Sequence, residues 1–254
     1  MAAIICAAGT STRMSGTDGG IKKEYRPLTN KATGKAAGLT VLGATVRAFA
    51  ALSEIQTIVI AVPENPLTGE AEARKAIPAA FLSGKIGPPI HFVAGGKTRR
   101  SSVYNALSIL PEKFLGKVDA RSYVLIHDGA RPWVHPAFIR RIIAEVKKHP
   151  AVIPILPLTE TPKEMTMELD DALGNGPVYV KRHLRRACVG ISQTPQAFAF
   201  PEILGLHEMA AEHESLTGLE FTDDAEIWGT FHGSVAVIPG DPKNRKVTFA
   251  GDLK

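Results

Sequence analysis

The sequence predicts an α/β fold built around a mostly parallel sheet. Short runs rich in β-branched and apolar residues alternate along the chain with segments whose apolar residues recur at helical spacing, a pattern typical of βαβ units. Several of these runs are continuously apolar, as expected of strands that helices cover on both faces. With 254 residues, 44% of them hydrophobic, the chain can bury a sizeable core, so we expect one domain over residues 1–254.

Six strands and four helices are predicted in chain order. The strands are Ala3–Cys6, Thr57–Val62, Ile90–Val93, Tyr123–Ile126, Val152–Leu156 and Ser234–Ile238. The helices are Val41–Leu52, Arg99–Leu110, one that begins at Pro136, and Pro201–His213. Proline suits a first helical position, and the apolar residues after Pro136 form one stripe that should face the sheet. That stripe consists of Phe138, Ile139, Ile142, Ile143 and Val146.

Two stretches interrupt the alternation of strands and helices. Residues 29–38 are polar and contain glycine, which predicts an exposed loop. Residues 158–193 form a longer interruption with Asn175-Gly176 near its middle, and Asn-Gly between extended segments indicates a hairpin. We expect a protruding β-arm there. A hairpin of this length needs a surface to pack on, and a second subunit is the simplest candidate.

Composition narrows the cellular setting and the class of partner. Since no apolar run approaches the roughly 18 residues of a membrane span and no basic region precedes the first strand, we expect a cytoplasmic protein that does not enter membranes. Cys6 and Cys188 have neither metal-ligand spacing nor a disulfide framework. The net charge of +5 and pI near 9.2 indicate an anionic partner, either nucleic acid or a small phosphorylated substrate.

The loop after the first strand has the character of a phosphate site. Ala7-Ala8-Gly9 allows backbone N–H groups to approach an anion closely, while Arg13 and Lys23 supply positive charge. The segment matches neither the Walker pattern G-x-x-x-x-G-K-[ST] nor the dinucleotide pattern G-x-G-x-x-G. The sequence therefore predicts a polyphosphate loop of a different kind.

Charged residues also follow the strand Tyr123–Ile126. Asp128 stands where the carboxyl end of a parallel strand faces the usual ligand crevice, so it could bind a ribose hydroxyl or a metal. Arg131 can reach a phosphate or a hydroxyl-bearing substrate. The alternative is an Asp–Arg pair that only ties the loop together. Strand-end loops carry function often enough to favour a binding role.

A second loop of small residues precedes the predicted helix Arg99–Leu110. Backbone groups at Gly95 and Gly96, with the Ser102 hydroxyl, could recognise a pyrimidine base, and Arg99 could hold the loop or contact the nucleotide. An ordinary strand-to-helix turn capped by Ser101 or Ser102 explains the same residues equally well.

Two further segments lie near the C-terminus. Thr222 or Asp223 can cap a helix, which is the commoner use of such a run. Lys246 is by default a solvated surface lysine. Beside the first loop it would add a third cation to a polyphosphate site.

Together these motifs resemble the 2-C-methyl-D-erythritol 4-phosphate cytidylyltransferase family. The resemblance runs from about residue 3 to residue 253, and its motifs occur in the family's order. They are Ala7-Ala8-Gly9 with Arg13-Met14, Lys23-Glu24-Tyr25, Gly95-Gly96 with Arg99 and Ser102-Val103, His127 to Pro132, Gln193 to Gln196, Thr222-Asp223, and Lys246-Val247-Thr248. The resemblance implies a Rossmann-like three-layer fold and a reaction of CTP with a polyol phosphate, assisted by Mg²⁺, which yields a CDP-polyol and pyrophosphate.

The resemblance also implies a role for each matched residue. Arg13 and Lys23 would grip the triphosphate and stabilise the transition state, and Lys246 would act on the α-phosphate or the attacking phosphate. The remaining matches would bind nucleotide or polyol phosphate. The nucleotide set is Ala7, Ala8, Gly9, Gly95, Gly96, Arg99, Ser102, Asp128 and Gly129; the substrate set is Asp128, Arg131, Thr161, Arg186, Thr194 and Thr222. Metal ligands are not indicated. The arm would join a homodimer and lend Thr161 and one arginine to the partner's site.

Two assignments stay open because the chain departs from the family pattern. Lys22-Lys23-Glu24 stands where the family has Pro-Lys-Gln, so Lys22 competes with Lys23. Spacing to the Thr-Pro-Gln motif selects Arg186 as the arm arginine, whereas the local context of Val180-Lys181-Arg182 favours Arg182.

Three alternative functions are compatible with these motifs. A ribitol-5-phosphate cytidylyltransferase shares nearly all these motifs. A nucleotidyltransferase for another base or a sugar 1-phosphate is also possible. A basic, non-catalytic RNA-binding module belongs to another class, but aromatic residues make up only 6% of the chain, and its cations stand in separate strand-end loops. We therefore expect no nucleic-acid partner.

Overall fold

The central sheet of the computed structural model contains eight strands. The structure describes residues 1–9, 21–28, 38–64, 66–113, 122–167 and 177–253. Seven strands follow one another across the sheet in the order β10, β5, β9, β4, β1, β2, β3, and β8 pairs with β5. They are β1 (Ala2–Cys6), β2 (Thr57–Val62), β3 (Ile90–Ala94), β4 (Tyr123–Asp128), β5 (Ala151–Pro157), β8 (Gly190–Ser192), β9 (Gln196–Ala199) and β10 (Ala236–Pro239).

The sheet is mostly parallel, as the alternation of apolar runs predicts. β1 pairs in parallel with both β2 and β4, β2 with β3, and β10 with β5. β9 lies between β4 and β5 and runs antiparallel to both. β9 is absent from the predicted strands because Gln196–Ala199 contains no β-branched residue and therefore gives a weak strand signal.

Helices lie on both faces of the sheet and make three layers. They are α1 (Val41–Ala50), α2 (Pro66–Ala76), α3 (Ala79–Leu82), α4 (Arg99–Ser108), α5 (Leu110–Lys113), α6 (Pro136–Val146), α7 (Glu202–Thr217) and α8 (Asp224–Phe231). Successive side chains of a strand point to opposite faces, so Ala3 and Ile5 join the core under α1 and α6, whereas Ala2 and Ile4 join the core under α4, α7 and α8. Both faces of β1 are therefore buried.

The helix that begins at Pro136 is confirmed together with its apolar stripe, whose five residues are all buried. The predicted helix Arg99–Leu110 is wrong at its end, because it stops at Ser108 and a separate short helix follows. α2 and α8 were not predicted as helices of these bounds. Over residues 69–76, α2 alternates small and charged residues without a sustained apolar stripe, so its sequence carries a weak helical signal.

The predicted arm divides into two parts. β6 (Lys163–Met165) pairs antiparallel with β7 (Val180–His183) in a separate two-stranded sheet. Residues 190–192, which the prediction placed in the arm, form β8 on the main sheet instead. The predicted tip at Asn175-Gly176 lies outside the described residues, as do residues 29–37 of the predicted exposed loop. Within the described ranges, none of the helices has the length and apolar character needed to cross a membrane.

Candidate active site

A cleft opens where three parallel strands end at one edge of the sheet. In the β1–β4 register Cys6 pairs with Asp128, so these strands end side by side, and β3 reaches the same edge through β2. The cleft has a volume of about 280 Å³ and is lined by residues from the loops after β1, β3 and β4 and from the segment that carries Lys246. This is the position where open α/β sheets bind ligands.

The first wall of the cleft is the loop that follows β1. Ala7 is buried and its N–H donates to the Ala61 carbonyl at 2.8 Å, so Ala7 continues the sheet rather than facing the cleft. Ala8 and Gly9 line the cleft as predicted. Arg13 lies outside the described residues.

The lysine pair near this loop separates into two roles. Lys22 Nζ donates a hydrogen bond to the Gly9 carbonyl and lies 3.7 Å from Glu24 Oε2. Burial lowers the pKa of Lys22, and the neighbouring Glu24 opposes that shift. Lys23 lines the cleft, whereas Lys22 does not. The geometry therefore favours Lys23 as the lysine that contacts a bound ligand. Lys22 instead connects the loop after β1 to the segment that contains Glu24.

The second wall is the glycine loop after β3. A Cβ on Gly95 would lie 2.3 Å from Ala8 Cβ and 2.9 Å from the Val62 carbonyl oxygen, so only glycine permits the two loops to approach this closely. The Gly96 N–H donates to Ser102 Oγ at 3.0 Å, and Ser102 Oγ donates to the Thr98 carbonyl at 2.9 Å. These two hydrogen bonds of Ser102 fix the conformation of the loop, and Ser102 also lines the cleft.

Thr98 caps α4, which corrects the prediction that Ser101 or Ser102 does so. Thr98 Oγ1 accepts the Ser101 N–H at 3.1 Å, and Ser101 Oγ accepts the Thr98 N–H at 2.9 Å. This reciprocal pair is a capping box. It fixes the turn from which Arg99 and Ser102 project.

Asp128 lies at the floor of the cleft among three cationic side chains. One of its carboxylate oxygens, Oδ2, is 2.9 Å from Lys246 Nζ and 3.4 Å from Arg131 Nε, and Oδ1 is 3.8 Å from Arg99 Nε. Burial by itself would raise the pKa of Asp128, but Lys246, Arg99 and Arg131 outweigh it and hold that pKa far below its usual range. Asp128 is therefore an anion at neutral pH, and three positive groups converge on it.

Buried groups beneath Asp128 hold its backbone in place. Its N–H donates to Thr194 Oγ1 at 3.0 Å, and the same hydroxyl lies 3.0 Å from His127 Nδ1. Burial lowers the pKa of His127 to about 3, with Asp128 opposing the shift, so His127 is neutral at physiological pH. Thr194 was predicted to bind substrate, but the structure buries it under the cleft floor.

The segment that carries Lys246 is fastened to the same strand ends. Asn244 Nδ2 donates to the Thr194 carbonyl at 2.7 Å, and Arg131 Nη1 donates to the Asn244 carbonyl at 2.9 Å. The Val247 N–H donates to the Ala130 carbonyl at 2.8 Å. These bonds on either side of Lys246 hold its ammonium group over Asp128. Lys246 is exposed, as the default interpretation expects, but its ammonium group is also held at the cleft by the ion pair with Asp128.

The remaining predicted residues lie outside the cleft lining. Gly129 continues the β4 turn, where its N–H donates to the Cys6 carbonyl at 2.9 Å. Thr222 is exposed and bonds the Glu226 carboxylate through both its N–H and its hydroxyl, whereas Asp223 caps α8. Thr161 and Arg186 are exposed on the arm, and Arg186 Nη1 donates to the Thr159 carbonyl at 2.7 Å.

The competing arm arginine is also engaged within the arm. Arg182 Nη2 lies 2.8 Å from Glu164 Oε2, and Lys181 Nζ lies 3.0 Å from Glu164 Oε1. Neither Arg182 nor Arg186 lines the cleft of its own chain. The choice between them stays open.

One charged residue of this site has no functional signal in the sequence. Asp224 is fully buried, and its Oδ2 lies 2.7 Å from Arg99 Nη2. In the sequence, Asp224 is only an acidic residue that directly follows Asp223, the cap of α8. That pattern is usually a solvated first turn.

The described residues contain no group of three or more His, Cys, Asp and Glu side chains that could hold a metal ion. Two carboxylates, Asp128 and Glu24, line the cleft. Asp128 is already paired with three cations and Glu24 with Lys22, so a Mg²⁺ ion that arrives with a polyphosphate would be held chiefly by the phosphate oxygens.

Comparison with known proteins identifies the family. The family model described as 2-C-methyl-D-erythritol 4-phosphate cytidylyltransferase (IspD) matches residues 1–254. A protein of that name from Acidobacterium capsulatum is 32% identical over 251 residues, which cover 99% of this chain and 93% of the relative. The bifunctional enzyme IspD/IspF of Nitrobacter hamburgensis is 36% identical over 252 residues, but the match covers 53% of that protein. The chain thus spans about half the length of the bifunctional relative.

Solved structures agree with the sequence comparison. The 4-diphosphocytidyl-2C-methyl-D-erythritol synthase from Anaerococcus prevotii matches with a TM-score of 0.72 and 25% identity, over 99% of this chain and 92% of that one. The Francisella tularensis 2-C-methyl-D-erythritol 4-phosphate cytidylyltransferase matches with a TM-score of 0.69 and 25% identity, over 99% and 95% of the two chains. With the family model matching every residue, the chain belongs to the 2-C-methyl-D-erythritol 4-phosphate cytidylyltransferase family and is a nucleotidyltransferase.

Proposed function

We propose that the cleft at the ends of β1, β3 and β4 is where this cytidylyltransferase joins CTP to 2-C-methyl-D-erythritol 4-phosphate. The products are 4-diphosphocytidyl-2-C-methyl-D-erythritol and pyrophosphate. The observation that carries this placement is the convergence of Arg99, Arg131 and Lys246 on Asp128 at the cleft floor. A triphosphate and a sugar-alcohol phosphate together carry several negative charges. The three cationic side chains are already oriented toward the position that the substrate phosphates would occupy.

The two loops of small residues suit the nucleotide. Backbone groups of the loop that contains Ala8 and Gly9 lie at the end of β1, where they would face the phosphates. On the opposite wall, Gly96 and Ser102 would present hydrogen-bonding groups to cytosine. Gly95 supports this wall by its close approach to Ala8. The ribose would lie between Ala8 and Gly129, with Asp128 accepting from a hydroxyl group.

The chemistry is an in-line displacement on the α-phosphorus of CTP. A phosphate oxygen of the polyol substrate forms the new P–O bond, and the bond from the α-phosphorus to the bridging oxygen of pyrophosphate breaks, so pyrophosphate leaves with that electron pair. No protein nucleophile takes part. Catalysis is mostly positioning and neutralisation of charge on the phosphoryl oxygens. Lys246 would act at the α-phosphate or the attacking phosphate, and Lys23 along the triphosphate, with Arg13 predicted from the sequence alone.

We further propose that Mg²⁺ is bound together with CTP. When bound, it would neutralise charge on the triphosphate. Asp128 and Glu24 line the cleft but are paired with cationic side chains, so the triphosphate oxygens would supply most of the ligands of the ion.

The arm supports a homodimer in this proposal. β6 and β7 form a two-stranded sheet in which Val180 is exposed, and Tyr179 directly before it is exposed as well. Such a sheet needs further packing for stability. Thr161 and one of the two arm arginines would then reach the polyol phosphate in the partner's cleft. None of these residues lines the cleft of its own chain, which is consistent with that arrangement.

Turnover assays with each polyol phosphate test the proposed function. The purified chain is supplied with CTP, Mg²⁺ and either 2-C-methyl-D-erythritol 4-phosphate or ribitol 5-phosphate, and pyrophosphate release is measured. We expect release with the methylerythritol substrate and at most trace release with ribitol 5-phosphate. Exclusive use of ribitol 5-phosphate would contradict the proposal. Replacement of CTP by ATP, GTP or UTP should abolish turnover if the glycine loop recognises cytosine.

A further inference from the structure

A buried carboxylate that does not line the cleft contacts an arginine that does. We propose that Asp224 is a positioning residue that holds the Arg99 guanidinium at the nucleotide side of the cleft and keeps it from collapsing onto Asp128. The inference rests on the proposed function, because it assigns Arg99 to the bound nucleotide. It adds Asp224, which does not line the cleft, to the residues on which CTP binding depends.

Among the residues that the structure describes, Asp224 contacts Arg99 and His207, which come from other parts of the chain. Its Oδ2 lies 2.7 Å from Arg99 Nη2, and its Oδ1 lies 3.2 Å from Nε2 of His207 on α7. The side chains of Asp224 and His207 are fully buried, whereas Arg99 is about one quarter exposed. The arginine thus extends from a buried anion into the cleft.

The backbone around Asp224 is fixed independently of Arg99. The Ala225 N–H donates to Gln196 Oε1 at 3.1 Å, and Gln196 Nε2 donates to Asp223 Oδ2 at 2.8 Å. Because Gln196 is the first residue of β9, these bonds attach the start of α8 to the central sheet. The position of Asp224 is therefore fixed by the backbone, and its carboxylate can restrain the side chain of Arg99.

The charge of Asp224 is maintained at neutral pH. Burial would raise the pKa of its carboxyl, but Arg99 and His207 together lower that pKa to about 2. A buried carboxylate of this kind keeps its cationic partner close, since an unpaired charge in the interior is strongly unfavourable.

The distances around Asp128 show what Asp224 prevents. Arg99 Nε is 3.8 Å from Asp128 Oδ1, farther than either Lys246 or Arg131 is from Oδ2. Without Asp224, the strongest anion near Arg99 would be Asp128. Arg99 would then move toward it and compete with Lys246, so that two cations of the cleft would be displaced at once.

A double-mutant cycle tests this coupling. Asp224→Asn preserves the size of the side chain, removes its charge and places an amide near the guanidinium. We expect the Kd for CTP, measured by calorimetry, to rise about tenfold, in line with the loss of a hydrogen bond to a charged group. Arg99→Gln should raise it by a similar factor. The double variant Asp224→Asn/Arg99→Gln should be no worse than Arg99→Gln alone.

A neighbouring ion pair supplies the matched control. Arg100, the next residue of α4, forms an ion pair with Glu214 of α7 at 2.5 Å. The exposed fraction of both side chains is close to that of Asp128. Neither residue lines the cleft. Glu214→Gln should lower the thermal midpoint, because it also leaves an arginine without its anion, but it should leave the Kd for CTP unchanged.

Several outcomes would overturn the inference. Multiplicative effects in the double variant would mean that Asp224 acts independently of Arg99, and a folded Asp224→Asn protein with normal CTP affinity would remove its role. If Asp224→Asn does not fold, the cycle is repeated with Asp224→Glu, which keeps the charge but displaces it, with the same expectations. If the unmodified chain fails to bind CTP, the proposed function fails. Normal CTP binding that Arg99→Gln does not alter would contradict only this inference.

Discussion

Asp128 is shared by cations from three separate segments of the chain. Arg99 comes from the start of α4, Arg131 from the turn after β4, and Lys246 from the segment after β10. A phosphate that enters the cleft competes with Asp128 for these cations rather than meeting unpaired charges. The carboxylate therefore keeps the cations in place before the ligand arrives, which reduces the reorganisation needed on binding.

Lys246→Ala should lower kcat by at least about a hundredfold, since mutations of this type remove a charge that acts in the transition state. Its side chain is 38% exposed, so the thermal midpoint should change little. Steady-state kinetics with CTP and the methylerythritol substrate measure the effect. Lys243→Ala, which removes an exposed lysine of the same segment, is the matched control. Equal losses in both variants would contradict a specific role for Lys246.

Lys23→Ala should reduce turnover by orders of magnitude with little loss of stability, since Lys23 lines the cleft. Lys22→Ala removes the hydrogen bond to the Gly9 carbonyl and should chiefly raise the KM for CTP by loosening the loop. Comparison of kcat and KM for the two variants distinguishes the adjacent lysines. A larger loss of kcat in Lys22→Ala would reverse their assignments.

At the scale of elements, the first turn of α4 connects helix formation to the cleft. The capping box between Thr98 and Ser101 satisfies two backbone donors at the helix start. The same turn positions Arg99 and Ser102, and Ser102 in turn accepts the Gly96 N–H. One local hydrogen-bonding motif therefore determines the conformation of a whole cleft wall.

Thr98→Ala should cost about 1 kcal/mol of unfolding free energy, the usual effect of losing a cap, and should raise the KM for CTP. Thr40→Ala removes the cap of α1, where Thr40 Oγ1 accepts the Gly43 N–H at 2.9 Å, and Thr40 does not line the cleft. Denaturation and kinetics of both variants form the test. If Thr98→Ala destabilises the chain but leaves KM unchanged, the cap serves the helix alone.

At the scale of the whole molecule, ionisable groups buried under the cleft make folding depend on pH. Burial lowers the pKa of His127 to about 3, whereas the unfolded chain binds that proton below about 6.5. Asp224, whose pKa is lowered to about 2, stabilises the fold above about pH 4 and loses that contribution below it. Both effects act in the same direction on acidification.

The unfolding free energy should therefore fall as the pH decreases. Between pH 6.5 and pH 5 the contribution of His127 alone should be about 1.6 kcal/mol, since over this range the unfolded chain goes from half to full protonation of His127 while the folded chain stays unprotonated. Urea denaturation across this range measures it. His127→Gln should be less stable at pH 7 but should show a shallower pH dependence. If the unfolding free energy of the variant falls with pH as steeply as that of the parent chain, groups other than His127 cause the loss of stability.

A homodimer formed through the arm should depend on the apolar residues that the arm exposes. Val180→Asp places a charge on an apolar residue of β7 that is 50% exposed in a single chain, so it should weaken a homodimer formed through the arm and raise the KM for the polyol phosphate about tenfold or more. Light scattering and kinetics measure these effects. Leu216→Asp, at an exposed residue near the end of α7, is the control. A fully active monomeric parent chain would contradict the proposed role of the arm.

Much of the fold follows from local patterns, but several parts of the site do not. The six predicted strands are all present, because continuous apolar runs reflect burial on both faces and burial leaves a signal in neighbouring residues. The sequence does not single out Thr98 as the cap of α4, because Ser101 and Ser102 have the same hydroxyl chemistry and only backbone geometry distinguishes the three. Asp224 resembled a solvated first-turn acid, since its burial depends on Arg99 and His207 from distant segments.

By itself the sequence determined the βαβ alternation, the loops of small residues at strand ends and the family to which the motifs point. These features depend on residues close together in the chain. Only the tertiary structure decided that β9 runs antiparallel between β4 and β5, that Lys23 rather than Lys22 lines the cleft, and that Lys246 and Arg99 meet at Asp128. Pairings of this kind depend on the distance between segments after folding, and no local spacing records that distance.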